Sequence, residues 1–260
     1  MLLALDIGNS TIVAALFSEK KKLAEQTVSS TQQRTDDETW SIVTSLLHGA
    51  NTLPTSLDEV GISSVVPSLT NRFSALSKSR LNIEPLIIGG LLDVGITIHY
   101  DNPVSLGADR VCSAVAAYSK FGGPLIVIDF GTATTFGAIG SNGDFLGGAI
   151  SLGVRSAADA LSKRTAQLPQ IELQVPSHPI CTNTIAAMQA GTMFAAVDAV
   201  EGIVKRMRKQ LGATTKVVAT GGLSELMSRQ TTIIDACEPS LVLEGIRLIS
   251  ERIRGLRNAT

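Results

Sequence analysis

A stretch near the start of the chain returns at its middle. LLALDIGNSTIVAALF at residues 2–17 aligns with LIVIDFGTATTFGAIG at 125–140, placing Asp6 and Asp129 at 123 residues' separation in a chain of 260. Both copies read as an apolar strand, Asp-x-Gly, a few small polar residues and a second strand. A period of about 20–50 residues would signify a solenoid. A repeat of half the chain instead implies two similar α/β domains, each opening on the same hairpin. Phe121-Gly122-Gly123-Pro124 is a cluster of helix and strand breakers. It sets an N-terminal domain over 1–121 and a C-terminal domain over 122–260.

Hydrophobic periodicity fills in the elements around the repeat. In the first half, short apolar runs at Leu2–Leu5, Ile12–Phe17 and Leu23–Val28 read as strands. Thr35 followed by Glu38 is a capping box, opening a helix whose apolar stripe is Trp40, Val43, Leu46 and Leu47. A strand over Glu59–Val66 stops at Pro67, a helix covers Leu69–Leu81, a strand Leu86–Ile88, and a helix Val104–Lys120 begins after Asn102-Pro103. In the second half, strands are expected at Leu125–Asp129, Thr134–Ile139 and Asp144–Ile150, the last two joined by Ser141-Asn142-Gly143. Helices follow at 153–166 and 184–211, then a strand at Lys216–Thr220 and an amphipathic helix at 240–255.

Composition narrows the function classes. Hydrophobic residues make up 44% and charged residues 17%, enough apolar content for a sizeable core and too little charge for a disordered chain. Net charge is −1, which speaks against a surface that holds nucleic acid through its phosphates. Aromatics at 4% are too sparse for a base-stacking platform. Cys112, Cys181 and Cys237 are far apart and form no CxxC pair, so neither a disulfide framework nor a cysteine zinc site is expected. The three histidines have no metal-ligand spacing. Asp6 interrupts the first apolar run too early for a secretory leader, and no run of about 18 apolar residues suggests a membrane span. A cytoplasmic protein is expected.

Phosphate-loop, dinucleotide, zinc-protease and serine-hydrolase signatures are missing. The two Asp-x-Gly turns carry the chemistry instead. A carboxylate at a strand end can hold a cation or a metal-bound water, and the glycine admits close backbone approach. Asn9, Ser10 and Thr11 in one copy, and Thr132, Ala133 and Thr134 in the other, add hydroxyl and N–H donors. Two such hairpins facing across a cleft can grip a polyphosphate; a single one is ordinary turn chemistry. Gly221-Gly222 follows the strand Val217–Thr220 and suits either a plain strand-to-helix turn or a surface against an adenosine. Asp109 in Gly107-Ala108-Asp109-Arg110 falls in the first turn of a helix, where negative charge is favoured in any case.

Taken together these residues resemble the type III pantothenate kinase family over nearly the whole chain. The resemblance rests on DIGNS at 6–10, RTDDE at 34–38, SSVVPSLT at 63–70, YDNPVSLGADR at 100–110 and IDFGTATT at 128–135. It continues in GGAI at 147–150, TAQLP at 165–169, NTIAAMQAG at 183–191, ATGGL at 219–223 and LVLEGIRLI at 241–249. It implies the acetate and sugar kinase/Hsp70/actin fold, with two ribonuclease-H-like domains facing a cleft. It also implies transfer of the ATP γ-phosphoryl group to the 4′-hydroxyl of pantothenate, with Mg²⁺, a monovalent cation (K⁺ or NH₄⁺) and a homodimer. On this resemblance Asp6, Ile7, Gly8, Asn9, Ser10 and Thr11 form the first phosphate loop. Gly131 and Thr132 form the second, Gly221 and Gly222 border the adenosine, and Asp129 holds the monovalent cation. Tyr100, Gly107, Ala108, Asp109 and Arg110 line the pantothenate pocket, Asp109 accepts the substrate proton, and Thr184 reaches the substrate from the partner subunit. Arg110 could bind an anionic substrate group or hold Asp109 ionised.

The sequence departs from the family pattern in places. Ser10 replaces a usual Thr and keeps the hydroxyl. Leu152 replaces a Pro in what reads as a loop after GGAI, which would loosen that loop. Ala195 and Asp198 replace glycines in the 184–211 helix, near the expected dimer interface. Two other readings compete: a non-catalytic accessory or regulatory protein of the same fold, and a kinase of that fold acting on another small hydroxyl substrate. The full set Asp6, Asp109, Arg110, Asp129 and Thr184 favours the pantothenate kinase.

Overall fold

The computed structural model describes residues 1–259, with side chains through Asn258. The chain forms two compact units: Met1–Lys120 together with the segment from Ser240, and Phe121–Pro239.

In the first unit, β1 (Leu2–Ile7), β2 (Thr11–Ser18) and β3 (Lys21–Ser29) form an antiparallel meander. Helix α1 (Asp36–Gly49) carries the chain to β4 (Glu59–Ser64), which runs parallel to β1, and α2 (Pro67–Leu76) leads to β5 (Leu86–Ile87). The sheet order is β3-β2-β1-β4-β5. Strand and helix periods meet in one core, with Leu3, Leu5, Ile7, Ile12 and Leu16 of the sheet against Ile42, Val43, Leu46 and Leu47 of α1. The capping box forms as expected: the Glu38 N–H donates to Thr35 Oγ1 at 3.2 Å, and the Thr35 N–H to Glu38 Oε2 at 2.7 Å.

The second unit repeats the plan. Strands β6 (Leu125–Phe130), β7 (Ala133–Ile139) and β8 (Phe145–Leu152) form the meander, and helices α4 (Val154–Arg164) and α5 (Thr184–Leu211) follow. Strand β9 (Lys216–Thr220) lies parallel to β6, and α6 (Ser224–Ser228) leads to β10 (Ala236–Cys237). The order β10-β9-β6-β7-β8 is that of the first sheet. The register repeats as well: β1 places Asp6 between Val13 and Ser63, and β6 places Asp129 between Thr135 and Thr220.

Three expectations are corrected. The helix expected from Val104 is broken: Asn102 caps a single 3₁₀ turn over Pro103–Ser105, and α3 (Ala108–Phe121) starts afresh after Gly107. The loop expected at Leu152 is paired strand, with Leu152 in register with Ala133. The last helix, α7 (Leu241–Ala259), is expected in the second domain from its place in the chain. It packs instead on the first sheet. The residue that sets this is Gly61 of β4, where a Cβ would stand 3.0 Å from Ser250 Oγ and closer still to Ile246. Gly245 lies against the Cys112 backbone of α3 just as closely. Amphipathicity tells that α7 buries one face, with Ile246 and Ile249 inside, but not against which sheet. Among the described residues no helix is long and apolar enough to cross a membrane.

A Cβ at Gly245 would meet backbone, which cannot swing aside. Gly245→Ala is therefore expected to cost about 1–3 kcal/mol, the usual price of overpacking. In Gly255→Ala the new Cβ meets nothing, and relief of glycine's helix penalty should add about 0.5–1 kcal/mol. Urea unfolding of the two variants checks both signs.

Candidate functional site

The first-unit residues collect where β1 ends and α3 begins. The β1–β2 turn is closed by the Gly8 N–H donating to the Thr11 carbonyl at 2.9 Å, leaving Asn9, Ser10 and Thr11 exposed. Asp6 accepts from Ser63 Oγ at 3.2 Å. Asp109 stands at the second position of α3, where its Oδ1 accepts from the Arg110 N–H at 2.8 Å, while Ser113 Oγ donates to its carbonyl at 2.8 Å. Gly107 leaves room for this carboxylate: a Cβ on it would press on Asp109 Oδ1, which would have to move.

Burial raises the Asp109 carboxyl above the ordinary Asp range, and the Arg110 N–H and guanidinium pull it part of the way back. Arg110 is itself buried, with its guanidinium carbon 6.0 Å from the Tyr100 ring centre. Cys112, one turn beyond Asp109, is wholly enclosed. Its thiol is pushed well up by burial, and then by the charges of Asp6 and Asp109. Both carboxylates therefore act on one buried point.

The second-unit residues collect around β6. The Gly131 N–H donates to the Ala133 carbonyl at 3.1 Å, closing the counterpart turn. Gly153, at the start of α4, packs on the carbonyls of Gly131 and Thr132 with no room for a side chain, and Ser156 Oγ donates to the Thr132 carbonyl at 2.7 Å. Gly221 adopts φ +88°, a left-handed conformation, and a Cβ there would strike Asp129 Oδ1. Its carbonyl accepts from the Ser224 N–H and hydroxyl at 3.0 and 2.7 Å. A Cβ at Gly222 would meet nothing. Asp129, Gly131, Thr132, Gly221 and Gly222 thus share one end of the sheet. Thr184 stands apart from them at the first position of α5, exposed, behind the N-cap Asn183. Ala195 and Asp198 lie on the exposed side of the same helix.

Sequence reasoning passed over Ser63, Cys112, Gly153 and Ser156. Ser63 lay within SSVVPSLT without a role. Its closeness to Asp6 depends on the β1–β4 register, which no local signal specifies.

Two sheets of one order, each led by an Asp-x-Gly hairpin, give this chain the α/β fold of acetate and sugar kinases, Hsp70 and actin. Solved structures share the fold. One is a Campylobacter jejuni protein assigned to the Baf family of transcriptional activators (TM-score 0.59, 18% identity, 97% of this chain and 99% of that one). Another is the activator of 2-hydroxyisocaproyl-CoA dehydratase from Clostridium difficile with bound ADPNP (TM-score 0.57, 13% identity, 99% and 97%). At those identities the likeness establishes the fold alone. The family model for type III pantothenate kinase matches residues 2–206. A type III pantothenate kinase of Moorella thermoacetica is 43% identical over 252 residues, covering 97% of this chain and 99% of the relative. The chain belongs to the type III pantothenate kinase family.

Because the Gly107 Cβ and Asp109 Oδ1 compete for one place, Gly107→Ala should turn the carboxylate away. On the expectation that Asp109 acts on the substrate, turnover falls about 100-fold, the effect of a ~1 Å misplacement. The melting temperature should move by less than about 2–4 °C. Steady-state kinetics beside thermal unfolding separates the two effects.

Proposed function

We propose that this protein phosphorylates pantothenate at its 4′-hydroxyl with ATP, giving 4′-phosphopantothenate and ADP, the first step of coenzyme A biosynthesis. The observation that carries the reading is Asp109 in the first turn of α3, where its Oδ1 accepts from the Arg110 N–H and Gly107 leaves it room. Phosphoryl transfer through a loose transition state needs positioning and charge neutralisation more than a strong base. The 4′-oxygen forms a bond to the γ-phosphorus, the bond from that phosphorus to the β,γ-bridging oxygen breaks, and ADP leaves. The hydroxyl proton passes to Asp109. Tyr100, Gly107, Ala108 and Arg110 hold the acceptor, with Thr184 supplied by the second subunit of a homodimer.

The nucleotide falls to the two hairpins. Asp6, Ile7, Gly8, Asn9, Ser10 and Thr11 present N–H and hydroxyl donors from one, and Gly131 and Thr132 from the other. The residues suit a polyphosphate: the N-terminus of α4 abuts the second turn through Gly153, and helix N-termini favour anions. Gly222 opens on space that a side chain would fill, which suits an adenosine. Mg²⁺ bound with ATP supplies neutralisation of phosphate charge. The Asp129 carboxylate, a hard oxygen donor at a strand end, suits a monovalent cation. The three free cysteines accord with a cytoplasmic setting.

Purified protein is expected to release ADP only when pantothenate, ATP, Mg²⁺ and K⁺ are all present, and Asp109→Asn is expected to abolish this. Full activity in Asp109→Asn would remove the base assignment. Inactivity of the native protein under every cation would remove the substrate assignment.

Because burial raises the Asp109 carboxyl, activity should fall as pH drops through a value above the ordinary ~3.9 of Asp, and that limb belongs to kcat/KM, which reports the free enzyme. The same shift makes the ionised carboxylate a cost to folding. The cost is absent below the unfolded pKa, accumulates as pH rises from it to the folded one, and is complete above that. Asp109→Asn should therefore melt higher than the native protein at pH 8, by about 2–4 °C for each kcal/mol relieved. Scanning calorimetry at pH 8 and pH 4 tests this, the gain being expected at pH 8 only.

A further inference from the structure

We propose that Ser63 is a positioning residue for the transfer, its hydroxyl fixing the Asp6 carboxylate at the end of β1. This rests on the reading of Asp6 as part of the first phosphate loop.

Ser63 is completely buried in β4, beside Asp6 in the parallel register. Burying a hydroxyl is unfavourable unless it is hydrogen-bonded, so a strand interior would ordinarily take Val or Ile here. The Ser63 hydroxyl has one proton, and it lies 3.2 Å from Asp6 Oδ1. The Ser63 O–H therefore donates to the Asp6 carboxylate across the β1–β4 pairing. That bond ties β4 to the strand carrying Asp6 and restrains rotation of the Asp6 carboxylate.

The internal repeat supplies a comparison. Thr220 occupies the same register position beside Asp129 and is also buried. Its hydroxyl lies 3.4 Å from the Pro239 carbonyl. A hydroxyl residue at this position is thus put to different use in the two halves, and in the first half it serves the carboxylate.

The test is steady-state kinetics of the full-length protein and of Ser63→Ala, Ser63→Thr and Asp6→Asn, each with a melting curve. Ser63→Ala is expected to lower kcat about tenfold, the loss for one hydrogen bond to a charged group. Its KM for pantothenate and its melting temperature should stay close to native, and Ser63→Thr, which keeps the hydroxyl, should recover most of kcat. Native kcat in Ser63→Ala beside a large loss in Asp6→Asn would overturn the role of Ser63 and leave that of Asp6. Parallel loss of kcat, pantothenate KM and melting temperature, unrescued by Thr, would make Ser63 a packing residue and overturn the proposal. Native kcat in Asp6→Asn would remove the reading on which the proposal rests.

Discussion

The first unit depends on a helix that comes within backbone contact of its neighbours. α7 reaches β4 at Gly61 and α3 at Gly245, and at both points a methyl group would collide. Packing this close leaves little freedom for adjustment. It fixes α3 relative to the sheet, and with it the height of Asp109 relative to the end of β1. Arg247, buried on α7, is satisfied by Glu244 and Glu251 of the same helix, so the helix keeps its charges paired while its apolar stripe faces the sheet. Arg252 grips Asp93 with two bonds of 2.9 and 3.0 Å to its two oxygens, which ties the segment before Tyr100 to the same support.

Much of the architecture was legible because it is local. The two hairpins announce themselves through Asp-x-Gly between apolar strands, and Thr35 and Glu38 mark a helix start by bonds three residues apart. What was illegible is long-range. Nothing near Leu241 says that its helix covers a sheet formed at the other end of the chain. Nothing near Ser63 says that it will lie beside Asp6, because parallel register is set by the crossover and the core rather than by neighbours in sequence. The break before α3 was misread because Pro103 and Asn102 give a sound start signal, which is used for one turn and then cancelled at Gly107. Leu152 was misread because a family proline suggested a loop where the strand continues to pair with Ala133.

The two halves show how one scaffold is differentiated. Both place a carboxylate at the penultimate position of the first strand and a buried hydroxyl beside it. Asp6 accepts from the Ser63 hydroxyl. Asp129 has the backbone of Gly221 against it, held in a conformation that other residues rarely adopt. Equal positions in the fold thus acquire unequal surroundings.

The first unit is discontinuous in sequence, and this has a bearing on how the protein is made. Domains usually fold in the order of synthesis, N-terminal first. Here the earlier unit lacks one wall until the segment from Ser240 has left the ribosome, whereas the later unit is a single uninterrupted stretch from Phe121 to Pro239. The nascent chain can therefore complete its second half before its first. The support of the Asp109 helix arrives only after the whole second unit, and a chain terminated before Ser240 keeps that helix without its wall.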